Sequence, residues 1–295
     1  MHNCQEISEG LVYLGGNDRR IALFESAYPV PRGVSYNSYL LKDEKTALID
    51  TVDTAVGDLF FENLAYALGG APLDYVIVQH MEPDHSATFA RLIELYPDVT
   101  VVTSQKAAVM LKNYFGYAGQ AHLVKEGDTL SIGKRTLTFV GAPMVHWPEV
   151  LFTYVPEDGI LFSADAFGTF GAVSGNIIAD KDVFEREYLD DARRYYFNIV
   201  GKYGVQVQAV LKKAAGLKIS TVCPLHGPVW KEGFAWYLDK YLTWSAYQPE
   251  EKCVAIFYAS VYGHTQNAAE IVASAIAAQG VRVKVFDVSV TDKSE

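Results

Sequence analysis

Six consecutive residues, His80-Met81-Glu82-Pro83-Asp84-His85, carry four side chains that can bind a metal ion. They follow the apolar run Tyr75–Val78 with one residue between. A strand ending in such a cluster would hold its ligands on a rigid edge, as a catalytic metal site requires. Three more side chains of the same kind stand in apolar or turn contexts: His146 in Met-Val-His-Trp-Pro, Asp165 in Leu-Phe-Ser-Ala-Asp, and His226 in Cys-Pro-Leu-His-Gly-Pro. Imidazole nitrogen and carboxylate oxygen together suit iron, manganese or zinc. Seven candidates are too many for one tetrahedral ion but suit two ions sharing a carboxylate, which in such sites lie about 3.5–4 Å apart. Asp165, alone after an apolar strand, is the natural bridge. Singly, His146, Asp165 and His226 read more simply as satisfied polar groups. The six-residue cluster shifts that balance, because four unpaired polar side chains closing a buried strand would be costly. His122 reads as an ordinary strand or loop residue, and His2 is terminal.

The elements that must position these residues are short strands broken by turns. Ala47–Asp50 and Tyr75–Val78 are apolar runs bounded by polar or turn residues, the pattern of buried strands. Between them, Thr54 to Leu68 places Val56, Leu59, Phe60, Leu64 and Leu68 at near-helical spacing, with Gly69-Gly70 as the stop. Val99–Val102 reads as a strand and Gln105–Tyr114 as a helix. Leu137–Val140 and Val150–Tyr154 read as paired strands flanking the His146 loop, and Glu157-Asp158-Gly159 as a hairpin turn into Ile160–Phe162. Helical character runs from Asp182 to Lys213, and Ser220–Val222 returns to strand before His226. Strands and helices mixed in this way, with ligands gathered at strand ends, point to two sheets covered by helices.

Composition narrows the function classes. The chain has 295 residues, half of them hydrophobic and 20% charged, as expected of a packed soluble core. No apolar run reaches the roughly 20 residues needed to span a bilayer, so no membrane role is expected. A formal charge of −10 argues against nucleic acid, whose phosphates call for a basic surface. Three cysteines, Cys4, Cys223 and Cys253, without close pairing fit reduced thiols in a cytoplasmic protein.

A composition break at Tyr247–Lys252 reads as a linker. Beyond it, the strand Val254–Tyr258, the loop Ser260-Val261-Tyr262-Gly263-His264-Thr265, a helix from Gln266 to Ala278 and the strand Val281–Phe286 make one β-α-β unit. Hydroxyls and backbone N–H groups at the start of that helix could hold a phosphate. Gly263 and Thr265 would equally serve a turn and a helix cap.

The motifs His-x-Glu-x-Asp-His, His-Trp-Pro, Phe-Ser-Ala-Asp-Ala-Phe-Gly and Leu-His-Gly-Pro-Val-Trp, in this order, resemble the flavodiiron proteins. The resemblance implies a metallo-β-lactamase-like αββα sandwich over residues 1–247. Residues 253–295 would then be the N-terminal part of a flavodoxin-like domain. It implies a first iron held by His80, Glu82 and His146, a bridging Asp165, and a second iron held by Asp84, His85 and His226. His85 occupies a position that some members leave uncoordinated. Glu82, where the wider superfamily carries histidine, makes the site harder and more favourable to iron. Trp147 would narrow and dry the pocket, and Tyr195 or Tyr196 is a candidate for a hydroxyl behind the ligands. The loop Ser260–Thr265 looks like the flavodoxin loop for the phosphate of FMN. Flavin sits at the switch between strands 1 and 3 of such sheets. The chain stops after strand 2, so weak or no FMN retention is expected, with an exposed edge on Val254–Tyr258.

The implied function is an oxidoreductase that reduces dioxygen to water, nitric oxide to nitrous oxide, or both, with electrons passing from FMN to the diiron site. A rubredoxin-like protein or a flavin reductase would be the donor, and a head-to-tail homodimer would bring one subunit's flavin to the other's irons. The alternative on the same scaffold is a dinuclear zinc hydrolase using a metal-bound hydroxide. A flavin-binding electron carrier with a structural metal is a third reading.

Overall fold

The computed structural model describes residues 2–295. Two sheets face each other. The first has seven strands in the order Gln5–Ser8, Leu11–Tyr13, Tyr39–Lys42, Thr46–Ile49, Tyr75–Val78, Thr100–Thr103, His122–Leu123. It is antiparallel as far as Thr46–Ile49 and parallel from there on. The second has five strands, Thr129–Ser131, Thr136–Gly141, Leu151–Val155, Ile160–Phe162 and Thr221–Cys223, of which only the last pair is parallel.

Strand periodicity explains why the sheets stack. Along Thr46–Ile49 and Tyr75–Val78, Ala47, Ile49 and Ile77 join a core with Phe139, Leu151, Val155 and Phe162 of the other sheet. The alternate residues Leu48, Val76 and Val78 join a second core that includes Phe60 and Leu64 of the helix Gly57–Leu68. Side chains of a strand alternate in direction, so a strand apolar at every position must be covered on both faces. The result is the metallo-β-lactamase-like sandwich, followed by a β-α-β unit.

Local signals end the helices where the sequence places them. Asp53 Oδ1 accepts the Ala55 N–H at 2.7 Å and starts a 3-10 turn at Thr54–Val56, which leads into Gly57–Leu68. Gly69 closes that helix with φ 59°, a left-handed conformation that glycine adopts without a Cβ penalty. Ser104 caps Gln105–Phe115 by accepting the Ala107 N–H. The helical stretch expected over 182–213 is three helices, Lys181–Glu187, Leu189–Tyr195 and Gly204–Ala214. A wide turn at Tyr196–Val200 and a 3-10 turn at Gly201–Tyr203 separate the last two.

Past the linker, Cys253–Tyr258 and Arg282–Asp287 pair in parallel, with the helix His264–Ala277 between them in sequence. That helix begins at His264, two residues earlier than its pattern indicates, because Gly263 takes the left-handed cap position. Phe257 and Phe286 stack with centroids 5.2 Å apart, and Phe257 remains 67% exposed. Glu250 ties the linker to the larger unit through Arg193, Lys240 and the Trp244 indole. No helix among the described residues is long and apolar enough to cross a membrane.

Candidate metal centre

All seven candidate ligands come to one place between the strand ends. His80, Glu82, His146 and Asp165 offer ligand atoms that lie within 4.8 Å of one another, and so do Asp84, His85 and His226. His80 follows the strand Tyr75–Val78. Glu82 precedes the short helix Pro83–Ser86 and Asp84 and His85 lie within it, with Pro83 at its first position. His146 lies in the loop between Thr136–Gly141 and Leu151–Val155, Asp165 three residues beyond Ile160–Phe162, and His226 three residues beyond Thr221–Cys223.

Asp165 joins the two groups. Its Oδ2 lies 3.2 Å from His146 Nε2 and 3.6 Å from His80 Nε2, while its Oδ1 lies 3.0 Å from His85 Nε2. Glu82 Oε2 faces His146 Nε2 at 2.9 Å and His80 Nε2 at 3.3 Å. Asp84 Oδ2 faces His226 Nε2 at 3.2 Å and His85 Nε2 at 3.3 Å. Every histidine therefore turns its Nε2 inward. Two outer nitrogens are committed elsewhere: His80 Nδ1 to Glu149 Oε1 at 2.9 Å, and His226 Nδ1 to the Ser35 carbonyl at 2.7 Å. These bonds leave the inner nitrogens as lone-pair donors.

A pair of cations fits this donor set. Both Asp84 oxygens and Asp165 Oδ1 are buried without a hydrogen-bond partner, and the Nε2 atoms of His85 and His226 face each other at 3.1 Å. Lone pairs converging in this way need positive charge between them. Burial opposes charge on His80, yet Asp165, Glu149 and Glu82 hold its ring well above the usual histidine range. His146 is likewise pushed up to about 9 against its burial by Asp165 and Glu82. Asp165 is held well below the carboxylate range, its own burial outweighed by His85 and His80. An ion replaces such protons when it binds, releasing them to solvent.

Several contributors carry no sequence signal. Asp50, in a left-handed conformation with φ 53°, accepts the backbone N–H groups of Gln79 and His80 and anchors the loop; burial pushes it up to about 7. Gln79 donates to the carbonyls of Leu151 and Phe162, pinning the two sheets beside the site. Glu25 and Ser26, both at positive φ, form the tip of the hairpin Leu23–Phe24/Tyr28–Pro29. This hairpin borders a cleft of about 480 Å³ that also touches Tyr36, Glu82 and Asp84. Burial of its carboxyl and a hydrogen bond to Glu82 push Glu25 up to about 8.

Trp147 stands edge-on to His80 with centroids 5.4 Å apart. Of the two tyrosines, Tyr195 is beside the site: its ring lies 5.5 Å from His226 and its buried hydroxyl has no partner. Tyr196 packs instead against Tyr241 and Trp244. The loop Ser260–Thr265 lies apart from these residues. Ser260 Oγ accepts the Gly263 N–H at 3.0 Å, and Val261 and Tyr262 are 86% and 88% exposed. His122 is exposed in its edge strand, and His2 stacks on Tyr66.

Two buried histidine–carboxylate clusters with Asp165 between them, set between the strand ends of an αββα sandwich, are the arrangement of a dinuclear metal site on a metallo-β-lactamase-like architecture. The family model for the ODP family beta lactamase matches residues 34–227. A nitric oxide reductase of Moorella thermoacetica is 35% identical over 293 residues, covering 98% of this chain and 73% of that protein. The flavodiiron protein from Giardia intestinalis matches with a TM-score of 0.93 at 29% identity, over 100% of this chain and 72% of its own. Rubredoxin oxygen:oxidoreductase from Desulfovibrio gigas matches with a TM-score of 0.92 at 29% identity, over 99% and 73%. The chain belongs to the flavodiiron proteins.

Proposed function

We propose that this chain carries the diiron centre of an oxidoreductase that reduces dioxygen to water, nitric oxide to nitrous oxide, or both. The observation that carries the reading is the division of Asp165, one oxygen toward His80 and His146 and the other toward His85. His80, Glu82 and His146 would hold one iron, and Asp84, His85 and His226 the other. Iron held by these residues would supply the redox chemistry for reducing one small diatomic molecule. The protein's part is to fix and shield it. Asp165 would be shared between the two positions, and Glu82 would supply an anionic oxygen that favours iron over zinc. Trp147 narrows the space beside His80, and Tyr195, whose buried hydroxyl has no partner, packs its ring against His226.

On the same reading, residues 1–247 and 253–295 are separate domains, and Ser260–Thr265 is the start of an FMN phosphate site. The electron donor is a rubredoxin-like protein or a flavin reductase, the assembly a head-to-tail homodimer, and the location the cytoplasm. The names of the Moorella thermoacetica and Desulfovibrio gigas relatives support nitric oxide and dioxygen as substrates. Elemental analysis of the purified protein, followed by anaerobic gas-consumption assays with a chemical reductant, tests the proposal. About two irons per chain and consumption of either gas support it. Two zincs after growth in iron-rich medium, with ester turnover, would replace it with the hydrolase.

A further inference from the structure

Glu149 is a carboxylate that the ligand set leaves unused. It is 2% exposed, and its Oε1 accepts two hydrogen bonds, from His80 Nδ1–H and from the Met81 N–H, each at 2.9 Å. Its backbone carbonyl accepts from Ser104 Oγ at 3.0 Å, which holds the main chain that carries it. An ionised carboxylate this deep is costly unless paired. Its side-chain partner is a histidine whose other nitrogen faces Glu82 and Asp165. The second half-site is supported differently. His226 Nδ1 donates to the neutral Ser35 carbonyl at 2.7 Å, and His85 Nδ1 is buried with no hydrogen-bond partner. A full negative charge thus backs an imidazole of the first group, whereas the second group has a single dipole and an unpaired nitrogen.

We infer that Glu149 is a positioning residue that makes the two metal positions unequal. Its two accepted hydrogen bonds hold the His80 ring and the Met81 backbone in place. Its charge makes His80 the stronger electron donor, since carboxylate-backed imidazoles are more basic ligands. The position formed by His80, Glu82 and His146 therefore binds its ion more tightly. The first electron removed from a diferrous pair, passing to an electrode through a mediator, leaves from that position. The inference rests on the dinuclear reading of the site.

Glu149→Gln keeps an oxygen that can accept both N–H groups and removes the charge; Glu149→Ala removes both. Each variant, checked for folding by circular dichroism, is titrated anaerobically with Fe(II) against a chromophoric chelator, and its one-electron potential is then measured. In Glu149→Gln we expect one of the two ions to bind about 10–100-fold more weakly, with the other unchanged and the first oxidation moved to higher potential. The same loss should appear in an Asp84→Ala background, where the His80 position alone remains, and Glu149→Ala should not retain that ion. Unchanged affinity and potential in Glu149→Gln, or equal weakening of both ions, would overturn the inference. Failure of the unsubstituted protein to bind Fe(II) would instead overturn the dinuclear reading itself.

Discussion

Replacing Asp165 should cost the protein both metal ions, whereas replacing Asp84 should cost it one. Asp165 presents Oδ2 to His146 at 3.2 Å and Oδ1 to His85 at 3.0 Å, so Asp165→Ala removes an anionic donor from each half-site at once. Asp84 faces His85 and His226, both of the second half-site. A ligand that binds only the folded state at 100 times its dissociation constant adds about 2.7 kcal/mol, so two such ions add roughly twice that. At about 2–4 °C per kcal/mol for a domain of this size, stripping both ions should lower the melting temperature by roughly 10–20 °C. Scanning calorimetry with and without chelator, beside metal analysis, reads the effect. In Asp84→Ala the chelator-sensitive shift should fall by about half, with one ion retained; in Asp165→Ala it should nearly vanish. An Asp165→Ala protein that keeps two ions and the full shift would refute the shared-carboxylate geometry. So would two variants with indistinguishable behaviour.

Other perturbations separate site from scaffold. Burial raises the pKa of Glu250, but Arg193, Lys240 and the Trp244 indole outweigh it and hold the carboxyl down to about 2, against 4.5 for the free group. A depressed folded pKa stabilises fully above the free value and is lost as pH falls through the folded one. Glu250→Gln should therefore cost about 1–2 kcal/mol at pH 7, after allowance for solvent screening, and almost nothing near pH 2; a pH-independent difference in urea midpoints would contradict this. Asn37 donates to the carbonyls of Pro224 and Gly227, each at 2.8 Å, on either side of His226. Asn37→Ala should cost about 2–4 kcal/mol by leaving the Gly227 carbonyl and the Tyr13 hydroxyl without their partner, while Tyr39 still donates to Pro224, and should loosen the metal of the second half-site. Intact stability with intact metal content would count against that anchoring role. FMN should bind weakly, because Val261 and Tyr262 stand in solvent; a fluorescence titration showing tight, stoichiometric uptake would refute it.

Much of the candidate site was legible in the sequence, because side chains able to bind metal are marked by residue type. A histidine or aspartate closing an apolar run is conspicuous, and four in six residues more so. Other features carried no such mark. The strands Gln5–Ser8 and Leu11–Tyr13 and the hairpin at Leu23–Pro29 are too short for periodicity to register, and only pairing with neighbours makes them strands. Glu149 follows His-Trp-Pro like any surface glutamate until the fold buries it against His80. Asp50 and Gln79 likewise gain their roles from the hydrogen bonds they meet.

By itself, the sequence determined the chemistry on offer, the continuous apolar runs that require strands covered on both faces, and the turn and cap residues that end the helices. Those depend on side-chain type and on neighbours within a few positions. Only the tertiary structure decided which oxygen of Asp165 meets which histidine, that Tyr195 rather than Tyr196 stands at the site, and that the two half-sites have unlike support. Such choices rest on distances of about 3 Å between residues far apart in the chain. Those distances are set by how the sheets stack, and no local pattern encodes them.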